Sequence, residues 1–373
     1  KSIIWIVSIV IVSVFLAIGI IYAGADFMGL GGDRMEAASC RLYRDYRKMA
    51  FMGWVAVLRH LTTIRENFRI AEEALLNEQP EVLILVDYPS FNLRMAQFVR
   101  RHLPATRIYY YIPPKVWAWK RWRIHRLMRL TDGVYSILPF EPEYYRQRGY
   151  TCTYVGNPTL NVVRAWQVAN GELVRSTKTI AVLPGSRRSE VSHCLPKMLV
   201  AARRVEGMSI VVAAAPGIDD AFYQPYLRSN ETLVRDTYRL LATATVAVVN
   251  SGTATLEAAL LGCPQMAVYH IACPHLAGLI WKAVFVIRHF TLVNILADKR
   301  DPKGEPMEVI REWIAYLFTE ENIECELRHL LTDEAYKKNM LTEYEHIRSL
   351  LGDSDAASTT ASFILKRNSE TGN

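Results

Sequence analysis

The chain has 373 residues, 51% of them hydrophobic and 22% charged, with a formal net charge of +7. That length sets a prior of two domains with a large core, and the positive balance suits an anionic partner: nucleic acid, a phosphorylated substrate or an acidic membrane. Six cysteines scattered without C-x-x-C pairs signal neither a zinc site nor a disulfide framework and fit a reducing, cytosolic setting.

In chain order, residues 3–23 form an almost unbroken apolar run behind Lys1, long enough to span a bilayer. The same Ile- and Val-rich composition also suits a buried first strand of a parallel sheet. Residues 42–60 interleave Tyr43, Tyr46, Phe51, Trp54 and Leu58 with basic residues. Their spacing after Phe51 predicts an amphipathic helix, facing either the core or a membrane. A helix follows at 66–76, then a continuous apolar strand at 82–86. Asp87 stands at that strand's carboxyl end, where α/β proteins build sites, or else caps the next helix. After a strand at 107–112, residues 115–129 mix Trp117, Trp119 and Trp122 with six Lys or Arg residues. That mixture reads as a surface for acyl chains and phosphates, as a platform for single strands, or as a basic helix with tryptophans packed inward. No recognised nucleic-acid motif accompanies it. A strand at 133–138 and a short one at 153–155 lead to polar residues 159–178, where a domain boundary is expected.

The second half repeats the alternation, with strands at 179–183, 209–214, 246–249 and 266–269. Helices are expected near 189–204, 219–228, 235–243, 253–261 and 305–318. Alternation of this kind predicts an α/β fold of parallel sheets. Two of its turns stand out. Leu183-Pro184-Gly185-Ser186-Arg187-Arg188-Ser189-Glu190-Val191 runs from a strand through a Gly turn into a helix. Ser186 is placed to cap that helix, and Arg187 and Arg188 add positive charge. Asn250-Ser251-Gly252-Thr253-Ala254-Thr255-Leu256-Glu257 repeats the plan with a hydroxyl-rich turn. Two such turns predict a diphosphate or nucleotide at the carboxyl edge of a sheet. Neither is a Walker loop or a G-x-G-x-x-G fingerprint. Residues 270–290 are apolar and aromatic, and residues 320–366 are charged amphipathic helices.

The two turns resemble the signature turns of the lipid-A-disaccharide synthase family. Three more stretches agree in order: Val86-Asp87-Tyr88-Pro89-Ser90-Phe91-Asn92, Trp117-Ala118-Trp119, and Leu292-Val293-Asn294-Ile295-Leu296-Ala297. The resemblance extends over about residues 25–365. Residues 301–307 look like a local insertion relative to the family, Arg311 and Trp313 replace the neighbours of its acidic position, and two further features depart from its pattern. Its opening Gly-Glu-x-Ser-Gly-Asp loop is absent, and Asn157 stands where the family often has His.

The resemblance implies two Rossmann-like domains in the glycosyltransferase-B architecture, with a cleft between them. The expected divisions are an apolar segment 1–24, an acceptor and lipid-facing domain 25–165, a UDP-sugar domain 166–345, and a terminal helix and tail 346–373. It also implies condensation of UDP-2,3-diacylglucosamine with 2,3-diacylglucosamine 1-phosphate (lipid X), releasing UDP. Asp87 is the expected base and Arg187 the expected catalytic cation. Gly185, Ser186, Arg187, Ser251, Gly252, Thr253 and Glu257 are expected around the donor, and Asn294 and Glu312 join them by resemblance alone. No metal or cofactor is expected, and the partners are the two lipid substrates and an anionic membrane surface rather than nucleic acid. Basic residues soon after residue 24 place the body of the protein on the cytoplasmic face of the inner membrane. A membrane-anchored homologue that binds nucleotide or lipid without turnover is the competing expectation.

Overall fold

A computed structural model of the chain describes residues 3–8, 26–31, 35, 40–45, 61–271 and 289–369. Two compact units emerge: residues 1–158 with 353–373, and residues 159–352. The division thus falls at 158/159 and 352/353, where the sequence suggested 165/166 and 345/346.

The first unit holds a seven-stranded, wholly parallel sheet. Its elements are β1 (Ile3–Ser8), β2 (Asp26–Gly31), β3 (Arg41–Asp45), α1 (Leu61–Glu78), β4 (Val82–Val86), α2 (Pro89–His102), β5 (Arg107–Tyr111), α3 (Arg123–Leu130), β6 (Gly133–Ser136), α4 (Glu141–Arg146) and β7 (Thr153–Tyr154). The strand order is β3-β2-β1-β4-β5-β6-β7. Successive residues supply opposite faces, as the pleat requires. Leu83, Leu85, Ile108 and Tyr110 pack with α1, α2 and α3, while Val82, Ile84, Val86, Tyr109 and Tyr111 pack with Ala361 and Ile364 of the C-terminal helix Ala356–Ser369. Both faces are therefore covered, which is why β4 reads as a continuous apolar run. Just after β7, Gly156 has φ +103, and a Cβ there would lie 2.5 Å from the carbonyl oxygen of Ser354, two residues before this closing helix, so only glycine fits.

The N-terminal expectation divides accordingly. Residues 3–8 are not the start of a spanning helix. They are β1, paired in parallel with β2 on one side and β4 on the other. Residues 9–25, the rest of the apolar run, and 51–60, the expected amphipathic helix, lie outside the described residues, as does most of 270–290. Residues 41–45 are strand. Among the described residues no helix is long and apolar enough to cross a membrane.

The second unit holds a six-stranded parallel sheet in the order β10-β9-β8-β11-β12-β13. It comprises α5 (Pro158–Asn170), β8 (Thr179–Leu183), α6 (Arg188–Arg203), β9 (Ser209–Ala213), β10 (Thr232–Val234), α7 (Thr237–Thr243), β11 (Val246–Asn250), α8 (Thr253–Leu260), β12 (Gln265–Tyr269), α9 (Leu292–Ala297), β13 (Glu312–Ile314), α10 (Glu320–Thr332) and α11 (Glu334–Leu351). Two expected helices are absent. Residues 219–228 form short 3-10 turns, and 305–318 contain the edge strand β13. Both edge strands, β10 and β13, have only three residues, too short to show a period of two.

Candidate active site

In both sheets the strand order reverses once, between β1 and β4 and between β8 and β11. Ligands of open α/β sheets bind beyond the carboxyl ends of the strands at such reversals. In the second unit, Leu183 at the end of β8 pairs with Val249 of β11. The Pro-Gly-Ser-Arg turn and the Ser-Gly-Thr turn therefore emerge side by side at the reversal. Gly185, Ser186, Arg187, Ser251, Gly252 and Thr253 are gathered there.

The first turn is built tightly. Gly185 has φ +124, and a Cβ would sit 2.6 Å from the Asn250 amide and 2.7 Å from Glu190. Arg187, in extended backbone, is the residue at the cap position of α6; the expected Ser186 cap is not formed. Glu190 takes that part instead. Its carboxylate accepts the backbone N–H groups of Ser186 at 2.9 Å and Arg187 at 3.3 Å, and the Arg187 guanidinium at 2.7 Å. A carboxylate of the chain itself thus sits on the helix N-terminus, where an anion is favoured. Arg188 turns away, to Asp219 at 3.2 Å and over the Phe222 ring. Ser186 and Arg187 are exposed.

The second turn is open. Gly252 and Thr253 are exposed, a Cβ at Gly252 would meet nothing within 4 Å, and no side chain caps α8. Glu257, one turn further on, accepts the Tyr238 hydroxyl at 2.9 Å, and burial raises its pKa. Tyr238 packs edge-on against Trp166.

Asn294 and Glu312 are brought together, but into each other. The Asn294 amide donates to the Ile310 carbonyl at 2.9 Å and to Glu312 at 2.8 Å, while its oxygen accepts the N–H groups of Val309 and Ile310. An asparagine amide has two donors and two lone pairs, so all four positions are engaged. Glu312 also accepts from Phe290, Thr291 N–H and the Thr291 hydroxyl. Asn294 is fully buried. In this arrangement both side chains hold the loop before α9 rather than reaching outward to a donor.

The sequence reading overlooked three side chains near the first turn. Tyr269, at the end of β12, feels the charges of Glu190 and Arg187 and lies tilted against Phe290, with ring centroids 4.6 Å apart. His270 follows it and stacks on His193 at 4.5 Å. Burial, then His193 and Lys197, lowers the His270 pKa. The rule that singled out Asp87, a polar residue directly after an apolar strand, would have found His270 too.

In the first unit, Asp87 follows β4 with φ 49 and Tyr88 has φ 42. Two successive non-glycine residues in the left-handed region are costly and persist only where surroundings hold them. Here Asn92 donates to the Val86 and Asp87 carbonyls at 3.0 and 2.6 Å, and the Tyr110 hydroxyl donates to the Asp87 carbonyl at 2.6 Å. Tyr88, not Asp87, occupies the cap position of α2, and no side chain caps that helix. Burial raises the Asp87 pKa, with Lys115 and the Tyr88 N–H pulling the other way. A carboxylate shifted upward is a better proton acceptor near neutrality.

The aromatic–basic run divides. Trp117 is buried, donates to Glu141 at 2.7 Å and meets Phe140 edge-on. Glu141 also accepts the Ser136 hydroxyl, and burial pushes its pKa up to about 7. Trp122, by contrast, is 60% exposed.

Among the described residues one group has metal-ligand geometry: His289, Glu308 and Glu312 have donor atoms within 4.8 Å of one another. Linear spacing did not reveal it. Glu312 already accepts the four donors named above and Glu308 pairs with Arg311 at 3.1 Å, so no metal is assigned there.

A family model for lipid-A-disaccharide synthetase matches residues 13–363. The lipid-A-disaccharide synthase of Trichlorobacter lovleyi is 35% identical over 353 residues, covering 91% of this chain and 89% of that protein. The lipid-A-disaccharide synthase of Syntrophus aciditrophicus is 34% identical over 360 residues, covering 92% and 90%. Among solved structures, the calicheamicin glycosyltransferase CalG4 has a TM-score of 0.60 at 15% identity, covering 100% of this chain and 99% of that one. A putative UDP-N-acetylglucosamine 2-epimerase from Listeria monocytogenes has a TM-score of 0.63 at 12% identity, covering 99% and 97%. The structural likenesses agree with the glycosyltransferase-B fold. The matches of sequence go further, and with them the two Gly turns at one strand reversal find their place: the chain belongs to the lipid-A-disaccharide synthetase family.

Proposed function

We propose that the chain condenses UDP-2,3-diacylglucosamine with 2,3-diacylglucosamine 1-phosphate, giving a β-1,6-linked disaccharide 1-phosphate and UDP. Family membership makes it a glycosyltransferase of lipid A synthesis. The identity of both substrates is our reading. The observation that carries it is the pair of turns at 184–187 and 251–253, side by side at the carboxyl edge of β8 and β11.

The reaction breaks the bond between the anomeric carbon and the diphosphate oxygen, and the electron pair leaves with UDP. Negative charge grows on that diphosphate in the transition state. Fixed N–H groups and Arg187 suit its stabilisation. The acceptor 6-hydroxyl attacks from the opposite face, and Asp87 takes its proton, inverting the configuration. Gly252 and Thr253 supply the open second turn. Asn294 and Glu312 act by holding the loop 290–294 in place. Glu257 orders Tyr238 behind the second turn.

We place the reaction on the cytoplasmic face of the inner membrane. A UDP-sugar donor, a lipid acceptor, a net positive chain and an exposed Trp122 support that placement. Incubating the purified chain with both substrates, with mass detection of the disaccharide and of UDP, tests the reading. UDP binding without disaccharide would favour the homologue that lacks turnover.

A further inference from the structure

Two imidazoles, those of His193 and His270, lie beside the glycine turns, and no step of the condensation employs them. His270 stands two residues beyond Val268, whose carbonyl accepts the Ser251 N–H at 2.8 Å. It therefore leaves the sheet next to the second turn. His193 belongs to the first turn. It follows Arg187 and Glu190 at spacings of three, on one face of α6. Helical side chains lean towards the N-terminus, and His193 Nδ1 reaches the Ser189 carbonyl at 2.5 Å. Its ring is thus level with Glu190, the carboxylate on the helix N-terminus. The two imidazoles lie 4.5 Å apart and 14° from parallel. Cys194 donates its thiol to the Asn250 oxygen at 3.8 Å and lies against the His270 backbone N–H. It pins α6 to the ends of β11 and β12. Three neighbouring strands, β8, β11 and β12, bring the first turn, the second turn and His270 to one mouth.

A carbonyl only accepts, so Nδ1 of His193 carries a hydrogen. His193 is exposed and His270 half-buried. Burial first, then the charges of His193 and Lys197, holds His270 below the usual histidine range. The groups around it come from three elements. On α6 are Arg187 and Glu190, which pair at 2.7 Å, and Lys197, whose ammonium donates to the Phe318 carbonyl at 3.2 Å. The Cys194 thiol, pushed up to about 11 by burial, is there too. On β12 is Tyr269, and on β11 the neutral Asn250. Among the described residues no carboxylate pairs with either ring. The neighbouring charges that act on His270 therefore all oppose its proton. An anion reverses that balance, and a diphosphate spanning the two turns brings negative charge to this mouth.

We infer that His270 is a third contact for the donor's diphosphate and takes up a proton as the diphosphate arrives, with His193 as the ring it stacks on. The proton comes from solvent and returns to it when UDP leaves. The imidazolium stands with Arg187 while charge grows on the departing diphosphate. The inference rests on the reading of a UDP-sugar donor and adds to it a group that answers pH.

Calorimetry of the full chain with UDP-2,3-diacylglucosamine in non-ionic detergent, without acceptor, tests it. Two buffers of different ionisation heat give the number of protons taken up. The donor's diphosphate is esterified at both ends and does not itself titrate near neutrality. Proton uptake is expected at about pH 7. The free-site pKa lies below 6.5 and the bound one above the free one. Affinity is therefore full below the free value and falls as pH rises through the bound one. The fall should be about tenfold, which is one unit of pKa.

His270→Gln should lose the uptake, flatten the pH profile and weaken binding about tenfold on the acid side. His270→Arg, charged at every pH, should lose the uptake and keep the affinity throughout. That rescue separates charge from shape. Equal uptake in His270→Gln would move the proton to another group, Glu190 first, and overturn the inference. An absence of uptake in the parent would overturn it as well. So would weaker binding in both variants with the parent's pH slope retained, the mark of a structural role. Donor binding with uptake but no disaccharide would overturn the reaction and leave His270 its proton. Disaccharide formation without uptake would do the reverse, and a chain that binds no donor would overturn both.

Discussion

The two units share a strand order and differ in what they place at its reversal. Each sheet runs 3-2-1-4-5-6 from its own first strand, and the first adds a seventh strand, β7, beyond β6. In the second unit both strands flanking the reversal end in glycine turns that open helices, with Arg187 beside them. In the first, β4 ends in Asp87 and Tyr88, held in left-handed backbone by Asn92 and Tyr110. One scaffold thus offers N–H groups and positive charge in one copy, and a half-buried carboxylate in the other. The lesson is that the sheet fixes where chemistry happens while a few loop residues fix its sign.

That contrast can be broken by experiment. The largest effect is expected from Asp87→Asn, which keeps the shape and removes the proton acceptor. Turnover should fall by about 10²–10⁴, with UDP affinity unchanged. Turnover near that of the parent would take the base out of the first unit. Arg187→Ala should lower turnover at least about 100-fold and should also weaken UDP binding. If Arg187→Ala left UDP binding intact while Asp87→Asn lost it, the division of labour between the units would be reversed.

A smaller effect sharpens the first unit's side. Glu141 carries a pKa near 7 in the folded chain against 4.5 for a free glutamate. The folded state therefore holds more proton than the unfolded state between those values. Stability contributed by the protonated carboxyl is full below about 4.5 and is lost as pH rises towards 7. The melting temperature should decline across that window, and Glu141→Gln should flatten the decline. An unchanged slope in the variant would show that another group causes it. The smallest effect is expected from strong chelators, which should leave turnover untouched. Loss of turnover restored by Mg²⁺ or Mn²⁺ would give the His289–Glu308–Glu312 group, or another, a role in the reaction.

Much of this was legible in the sequence because it is local. An apolar run followed by Pro184-Gly185, or by Ser251-Gly252, announces strand, turn and helix within a dozen residues. Asp87 was visible for the same reason. What stayed hidden depends on distant partners. Nothing near residue 294 in the chain says that Asn294 is saturated by residues 309, 310 and 312. Nothing near residue 312 marks β13 as a strand, since only its pairing with β12 makes it one. Residues 3–8 could be read as helix or strand because a continuous apolar run has no period. Only the neighbours β2 and β4 settle it.

The Glu190 carboxylate on the α6 N-terminus has a consequence for selectivity. An unliganded anion seat with bare N–H groups would draw any phosphate or sulfate in the cell. Here an arriving anion meets a tethered rival, present at an effective concentration that a dilute solute cannot match. A small monoanion offers the turn nothing that Glu190 does not already give. A diphosphate carries more charge, reaches Arg187 as well, and brings a nucleoside and a sugar whose own contacts add to the exchange. On the proposed reading, the turn thereby answers a nucleoside diphosphate, free or bound to its sugar, and discriminates against small monoanions.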